Sequence, residues 1–288
     1  MPSLSTRASG VPGIGDLLVL HDERADSVVE LAPARGALVT SFAVAGRELL
    51  YLDDASFRDL SKNVRGGIPV LFPSPGRLTG DAYTHEGTRY SLKQHGFART
   101  LPFTPSATHG DVAAVTLTLR ASEATRAVFP FSFALDLTVS LRGTDLTLHT
   151  RLQNLGDAPL PYALGYHPYF AVADKARARV DTCATRAFDN VTKREVAFSG
   201  FDFGGAEVDI HLLDHGGITS ALHLGDGARI DVRASDAFGR WVVWTLPGQP
   251  FLCLEPWTAP FDALNSGEGL LHVPPGSAHE GFVTLAFA

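Results

Sequence analysis

The chain reads as an all-β protein built from packed antiparallel sheets. Large apolar residues recur at every second position, helical periodicity is scarce, and Gly, Pro or Asp/Asn clusters punctuate nearly every apolar segment. The clearest case runs from Phe131 to Leu141, where Phe131, Phe133, Leu135, Leu137, Val139 and Leu141 alternate with small or polar residues. That is a strand buried on one face. Asp145–Leu152 alternates likewise, and Arg142-Gly143-Thr144-Asp145 between them supplies a glycine for a turn, so the two form a hairpin.

The other elements follow in chain order. Leu17–Leu20, Ser27–Leu31, Ala37–Val44 and Arg47–Tyr51 are early strands, and Asp53–Leu60 is a short helix. Val112–Arg120 is a strand, and Ser122–Ala127 is a second short helix cut off by Pro130. Leu160–Leu164, Arg229–Ala234, Trp241–Leu246, Pro250–Leu254 and Gly281–Phe287 complete the strands. No βαβ rhythm appears, which favours a β-sandwich or a related two-sheet architecture. With no linker, low-complexity tract or repeat, residues 1–288 read as one domain.

Composition narrows the function. The chain is 45% hydrophobic and 19% charged, with a net charge of −7, so it carries no basic footprint for nucleic acid or an anionic membrane. No apolar run approaches the ~18–20 residues that span a bilayer, and Met1–Leu20 lacks the apolar core of a signal peptide. A cytoplasmic protein, monomer or weak homodimer, is expected. Cys183 and Cys253 are the only cysteines and read as buried reduced thiols, not a disulfide.

Three ionisable residues stand in apolar or glycine-rich settings. Glu255 lies in Phe251-Leu252-Cys253-Leu254-Glu255-Pro256-Trp257, at the end of an apolar strand. An ionised carboxylate is costly to bury, so its presence there points to use. His167 is framed by Tyr166, Pro168, Tyr169 and Phe170, and His95 stands in Gln94-His95-Gly96-Phe97-Ala98-Arg99. Each histidine also has a purely structural reading, as a core imidazole satisfied by a backbone carbonyl. The block from Asn63 to Leu78 holds three prolines and three glycines beside Arg65 and Arg77. It reads equally as a stiff ligand-binding loop or a rigid connection with solvated arginines. Asp209 binds ligand hydroxyls or caps a turn.

Other chemistries lack support. Neither phosphate-loop glycine pattern is present, and no G-x-S-x-G elbow appears. His211 and His215 are four apart, but H-E-x-x-H is absent and Gly216-Gly217 follows, so no zinc site is expected. No cofactor is expected either.

Four motifs then occur in a telling order: Arg65-Gly66-Gly67-Ile68-Pro69-Val70-Leu71-Phe72-Pro73, Gln94-His95-Gly96-Phe97-Ala98-Arg99, Gly165-Tyr166-His167-Pro168-Tyr169-Phe170 and Leu254-Glu255-Pro256-Trp257. Together they resemble the aldose 1-epimerases, or galactose mutarotases, and their hexose-6-phosphate mutarotase relatives. The resemblance implies a β-supersandwich fold, a small-molecule sugar as partner, and interconversion of α and β anomers. It implies Glu255 as general base, His167 as general acid and His95 as an assisting group. Arg77 and Asp209 would bind hydroxyls, although Pro75-Gly76-Arg77-Leu78-Thr79-Gly80 replaces the Gly-Arg-x-x-Asn-Arg stretch common in the free-sugar enzymes. Arg65, Gln94 and Arg99 resemble the phosphosugar branch, in which arginines hold phosphate. The stretch from Leu254 to Asn265 resembles the broad bacterial branch, which favours a free aldohexose.

Mutarotation needs a base for the anomeric hydroxyl and an acid for the ring oxygen. A carboxylate and an imidazole held apart by a sugar ring would suffice, with Glu255 ionised and His167 carrying the proton. Two rivals remain at this level. A glycan-cleaving enzyme would pair Asp209 with Glu255, and a non-catalytic carbohydrate-binding module would use Tyr169 and Trp257 as platforms.

Overall fold

The computed structural model describes residues 2–109 and 113–288, so Val112, placed in a strand above, lies outside the described residues. The expected all-β architecture is present. Two eight-stranded sheets, a five-stranded N-terminal sheet and two two-stranded ribbons make up the strands, with every named pairing antiparallel.

The predicted hairpin forms. Strands Phe133–Arg142 and Asp145–Asn154 pair without interruption from Phe133↔Asn154 to Arg142↔Asp145. Their side chains alternate between buried and part-exposed as the sequence pattern requires. They occupy the interior of one large sheet, beside Ala113–Arg120 on one flank and Ala278–Phe287 on the other.

The second large sheet positions the site. At its centre runs Phe251–Trp257, buried at all seven positions. Successive side chains of a strand point to opposite faces. Leu252 and Leu254 join the main core, whereas Cys253, Glu255 and Trp257 share the other face. The strand does not stop before Glu255, as the proline suggested. Pro256 continues it opposite Trp241, and Trp257 pairs with both Arg240 and Gly165. Proline removes one N–H but fits an extended backbone, so it breaks the ladder locally without ending the strand.

One apolar cluster joins the three larger sheets, drawing Leu20 and Phe42 from the N-terminal sheet, Leu137 and Val283 from the first large sheet, and Val243 and Leu254 from the second. Truncating any of these to alanine should cost about 2–5 kcal/mol. Both short helices form, as Asp54–Arg58 and Glu123–Arg126. Asp53 caps the first, and a reciprocal Ser122/Thr125 capping box starts the second. Cys253 is buried as expected, but Cys183 is exposed. It sits in an irregular segment between strands, where its thiol donates to the carbonyl of His215.

Candidate active site

A cavity of about 730 Å³ opens over the second large sheet, and Arg65, Arg77, Gln94, His95, Arg99, His167, Asp209 and Glu255 all line it. Six segments far apart in sequence deliver them. Glu255 comes from Phe251–Trp257, Asp209 from Val208–Leu212, and His167 from the link between Gly165–Tyr166 and Tyr169–Ala171. Gln94, His95 and Arg99 come from one tight loop. That loop depends on Gly96, which has φ +70°, and a Cβ there would lie 2.1 Å from the carbonyl oxygen of Phe72. Only glycine lets the two chains approach so closely.

The centre is a contact of 3.4 Å between Glu255 Oε1 and His167 Nε2. The two groups are therefore neighbours, not partners separated by a sugar ring. Both are buried: their side chains retain 2% and 9% exposure. The indole N–H of Trp257 donates to Glu255 Oε2 at 3.1 Å. Burial pushes the Glu255 carboxyl well above its ordinary value; repulsion from Asp209 adds to the rise and the Trp257 hydrogen bond opposes it. Burial lowers His167 to about 3, and the positive charge of Arg99 pushes the same way. Both effects favour one proton shared by the pair and held on the carboxyl. The expectation of an ionised Glu255 beside a protonated His167 thus describes the less favoured arrangement of that proton. His167 Nδ1 is buried without a hydrogen-bond partner among the described residues.

His95 is fixed from the backbone. The Gly76 N–H donates to its Nδ1 at 3.0 Å, and its own N–H donates to the Gly76 carbonyl at 2.7 Å. A neutral ring that accepts at Nδ1 carries its proton on Nε2. Burial, aided by Arg99, holds its pKa well below the ordinary imidazole value, so His95 is a neutral donor. Nε2 also lies 3.2 Å from the Gln94 side-chain amide. The ring sits edge-on to His167, with centroids 5.6 Å apart.

Around this centre the charges differ in their partners. Asp209 accepts from Asn190 Nδ2 at 2.6 Å and faces His211 Nε2 at 3.5 Å. Arg77 is mostly exposed at the rim, 3.6 Å from Asp81 and 3.4 Å from the Gln94 side-chain oxygen. Arg99 donates to the Gln94 carbonyl at 2.9 Å, while its covered Nε has no partner. Among the described residues, neither Arg65 nor Arg99 has a carboxylate at ion-pair distance. Burial lowers the Arg99 pKa, the sign of a cation without its counter-charge.

A carboxyl and an imidazole in contact, flanked by a neutral histidine donor and guanidinium groups without acidic partners, are thus brought together from the four motifs. The family model described as aldose 1-epimerase matches residues 18–285. The chain belongs to that family. The solved structure of the Slr1438 protein from Synechocystis sp. PCC 6803 superposes with a TM-score of 0.91 at 35% identity, covering 100% of this chain and 96% of that one. A galactose mutarotase-like protein from Clostridium acetobutylicum shares the fold at a TM-score of 0.83 and 16% identity, covering 100% and 98%. A Cenchrus ciliaris protein named "Putative glucose-6-phosphate 1-epimerase" is 33% identical over 165 residues, which are 52% of this chain and 46% of that protein. The match thus spans about half the length of that curated relative, as does one of 55% to an Escherichia coli protein of the same name.

Several lining residues of this epimerase-family cavity carry no signal in the sequence pattern. Asn190, Lys193 and Phe188 come from the hairpin Arg186–Asp189/Arg194–Ala197, which shows no apolar alternation. His211, considered above only as a metal ligand, is another. Its two-residue spacing from Asp209 places both on one face of Val208–Leu212 and is the signal that could have found it. Among the described residues, the donors that gather closely enough for an ion are His167, Cys253 and Glu255, within 4.8 Å of one another. Cys253 is fully covered and burial raises its thiol pKa strongly, which disfavours the thiolate a metal takes. The set reads better as an acid/base pair with a thiol beneath it.

Proposed function

We propose that this protein interconverts the α and β anomers of an aldohexose, with a hexose 6-phosphate preferred over the free sugar. The 3.4 Å contact between Glu255 and His167 carries the reading. In its reactive arrangement Glu255 is ionised and His167 protonated. Glu255 takes the anomeric hydroxyl proton while His167 Nε2 gives its proton to the ring oxygen, and the ring opens to the aldehyde. Those two oxygens share one carbon, so adjacent catalysts can reach both. Opening leaves the proton on Glu255 and His167 neutral, the arrangement that burial favours. Rotation about C1–C2 and the reverse transfers close the ring on the other face. Protons and charge balance over the cycle, and positioned groups of this kind contribute ~10²–10⁴-fold.

The neutral His95 would donate from Nε2 to a sugar oxygen, and Asp209 would accept from a hydroxyl. The preference for a phosphate rests on Arg65 and Arg99, which border the cavity without acidic partners and offer forked donors to a dianion. The free aldohexose favoured by the Leu254–Asn265 stretch leaves these cations unmatched. The relatives named for glucose-6-phosphate point the same way. The test is a substrate panel. Fresh α-D-glucose and α-D-galactose are followed by polarimetry, and exchange between glucose-6-phosphate anomers by NMR. Acceleration strongest for the phosphate is expected, and no acceleration of any of the three would remove the proposal.

A further inference from the structure

Trp257 belongs to the same face of the same strand as Glu255, two residues on, and its indole is held with unusual care. It is 3% exposed. A Cβ on Gly165 would lie 2.6 Å from its Cδ1, and one on Gly76 would lie 3.3 Å from its Cζ3, so two glycines make its slot. His95 and His211 pack edge-on against it at 6.1 and 5.3 Å. The indole has one polar atom, and it donates to Glu255 Oε2 at 3.1 Å. The other carboxyl oxygen, Oε1, is the one that faces His167. The carboxyl is thereby divided into a held oxygen and a working oxygen.

We infer that Trp257 is the positioning residue of the acid/base pair: its N–H fixes Glu255 so that Oε1 alone meets the substrate proton, and it supports the ionised form of that carboxyl. This rests on the proposed epimerase reaction. It differs from the role of sugar platform that an aromatic in such a cavity would otherwise have, because the ring's only donor is spent on the carboxyl. Other charged or titratable groups acting on Glu255 are His167, Asp209, Cys253 and Tyr169, with Arg99 and Arg65 acting on those partners.

The test removes the N–H and keeps the ring. Trp257→Phe is the first variant, and site-specific benzothienylalanine, which replaces N–H by sulfur in the same outline, is the second if Trp257→Phe does not fold. The expected result is a kcat for anomer exchange lowered about tenfold with KM changed less than about twofold. That loss is the size of one hydrogen bond to a charged group. The titration midpoint of the Glu255 carboxyl, read by ¹³C NMR in the sugar-free protein and assigned with Glu255→Gln, should rise by about one pH unit. The alkaline limb of the rate profile should rise with it. A raised KM with kcat and midpoint unchanged would make Trp257 a platform and overturn the inference. The carboxyl titration needs no turnover. A wild-type protein inactive on every sugar, with the midpoint still moving, would sink the proposed reaction but leave the Trp257–Glu255 coupling standing.

Discussion

Two cavities of about 730 Å³ each lie in this molecule. One covers the Glu255–His167 pair. The other lies beneath the N-terminal sheet, floored by Leu17, Leu50 and Phe57 and edged by charges. In that groove three of the four lining arginines are matched, Arg7 with Glu30, Arg47 with Asp226 at 2.7 Å, and Arg58 with Asp54 at 2.6 Å, and the fourth, Arg177, is exposed to solvent. In the first cavity the covered Arg99, and Arg65 at the exposed edge, have no carboxylate at ion-pair distance among the described residues, and a buried carboxyl and imidazole are both driven toward neutrality. Volume does not separate the two. What separates them is whether the charged groups are already satisfied, because an unsatisfied buried group costs stability and persists where a ligand completes it.

The contrast is sharpest for Glu255→Gln, which should lower kcat at least about 100-fold, at the low end of what a positioned base contributes. Anomer exchange at fixed pH measures it. Arg99→Ala should raise KM for glucose-6-phosphate about tenfold or more and leave free glucose nearly untouched, the loss of a charge-assisted contact to phosphate. Equal losses on both sugars would return Arg99 to a structural role.

The pH profile tests the shared proton. The active form needs one proton on the pair, so activity should fall at the acid end as His167 gains a second proton near its lowered value of about 3. At the alkaline end it should fall as the carboxyl, raised well above 4.5, loses the proton. These limbs belong to the pair, with the acid limb below and the alkaline limb above the ordinary carboxylate value. An acid limb at the ordinary carboxylate value would contradict the shared proton. Free glucose is the probe, since it adds no titrating phosphate.

Stability should move oppositely to activity. A carboxyl whose folded pKa is raised contributes stability that is fully present below its unfolded value near 4.5 and is lost as pH rises through the folded value. Glu255→Gln cannot ionise, so its Tm should exceed the wild type's by a few degrees at pH 8, with the gap closing toward pH 4. A gap independent of pH would assign the gain to packing. The smallest effect belongs to the other groove. Arg47→Ala removes an exposed ion pair and should change stability by less than about 1 kcal/mol and activity not at all.

Much of this is legible in the amino-acid sequence. Alternation exposes the hairpin around Gly143. The four motifs hold Arg65, Gln94, His95, Arg99, His167 and Glu255, all of which line the cavity, because each motif combines an ionisable group with glycines or aromatics that have few other uses. Arg77 and Asp209 lie outside the motifs and line it too. The strand through Glu255 runs further than its pattern suggests, since Pro256 looks like an end when only single-chain pattern is available. Asn190 and Lys193 leave no trace in the sequence because they sit in a polar turn between Arg186–Asp189 and Arg194–Ala197 that is recruited by tertiary position alone. The 3.4 Å contact is not foreseeable either: His167 and Glu255 are brought together by pairing of Gly165 with Trp257 and of Tyr169 with Cys253.

The most direct measurement is the exchange rate between glucose-6-phosphate anomers, compared among wild type, Glu255→Gln and Arg47→Ala under one buffer. Acceleration by wild type and Arg47→Ala, with that of Glu255→Gln lowered at least about 100-fold, is the predicted result. Acceleration by Glu255→Gln within about tenfold of wild type, or acceleration that disappears in Arg47→Ala, would contradict the assignment of the chemistry to this cavity.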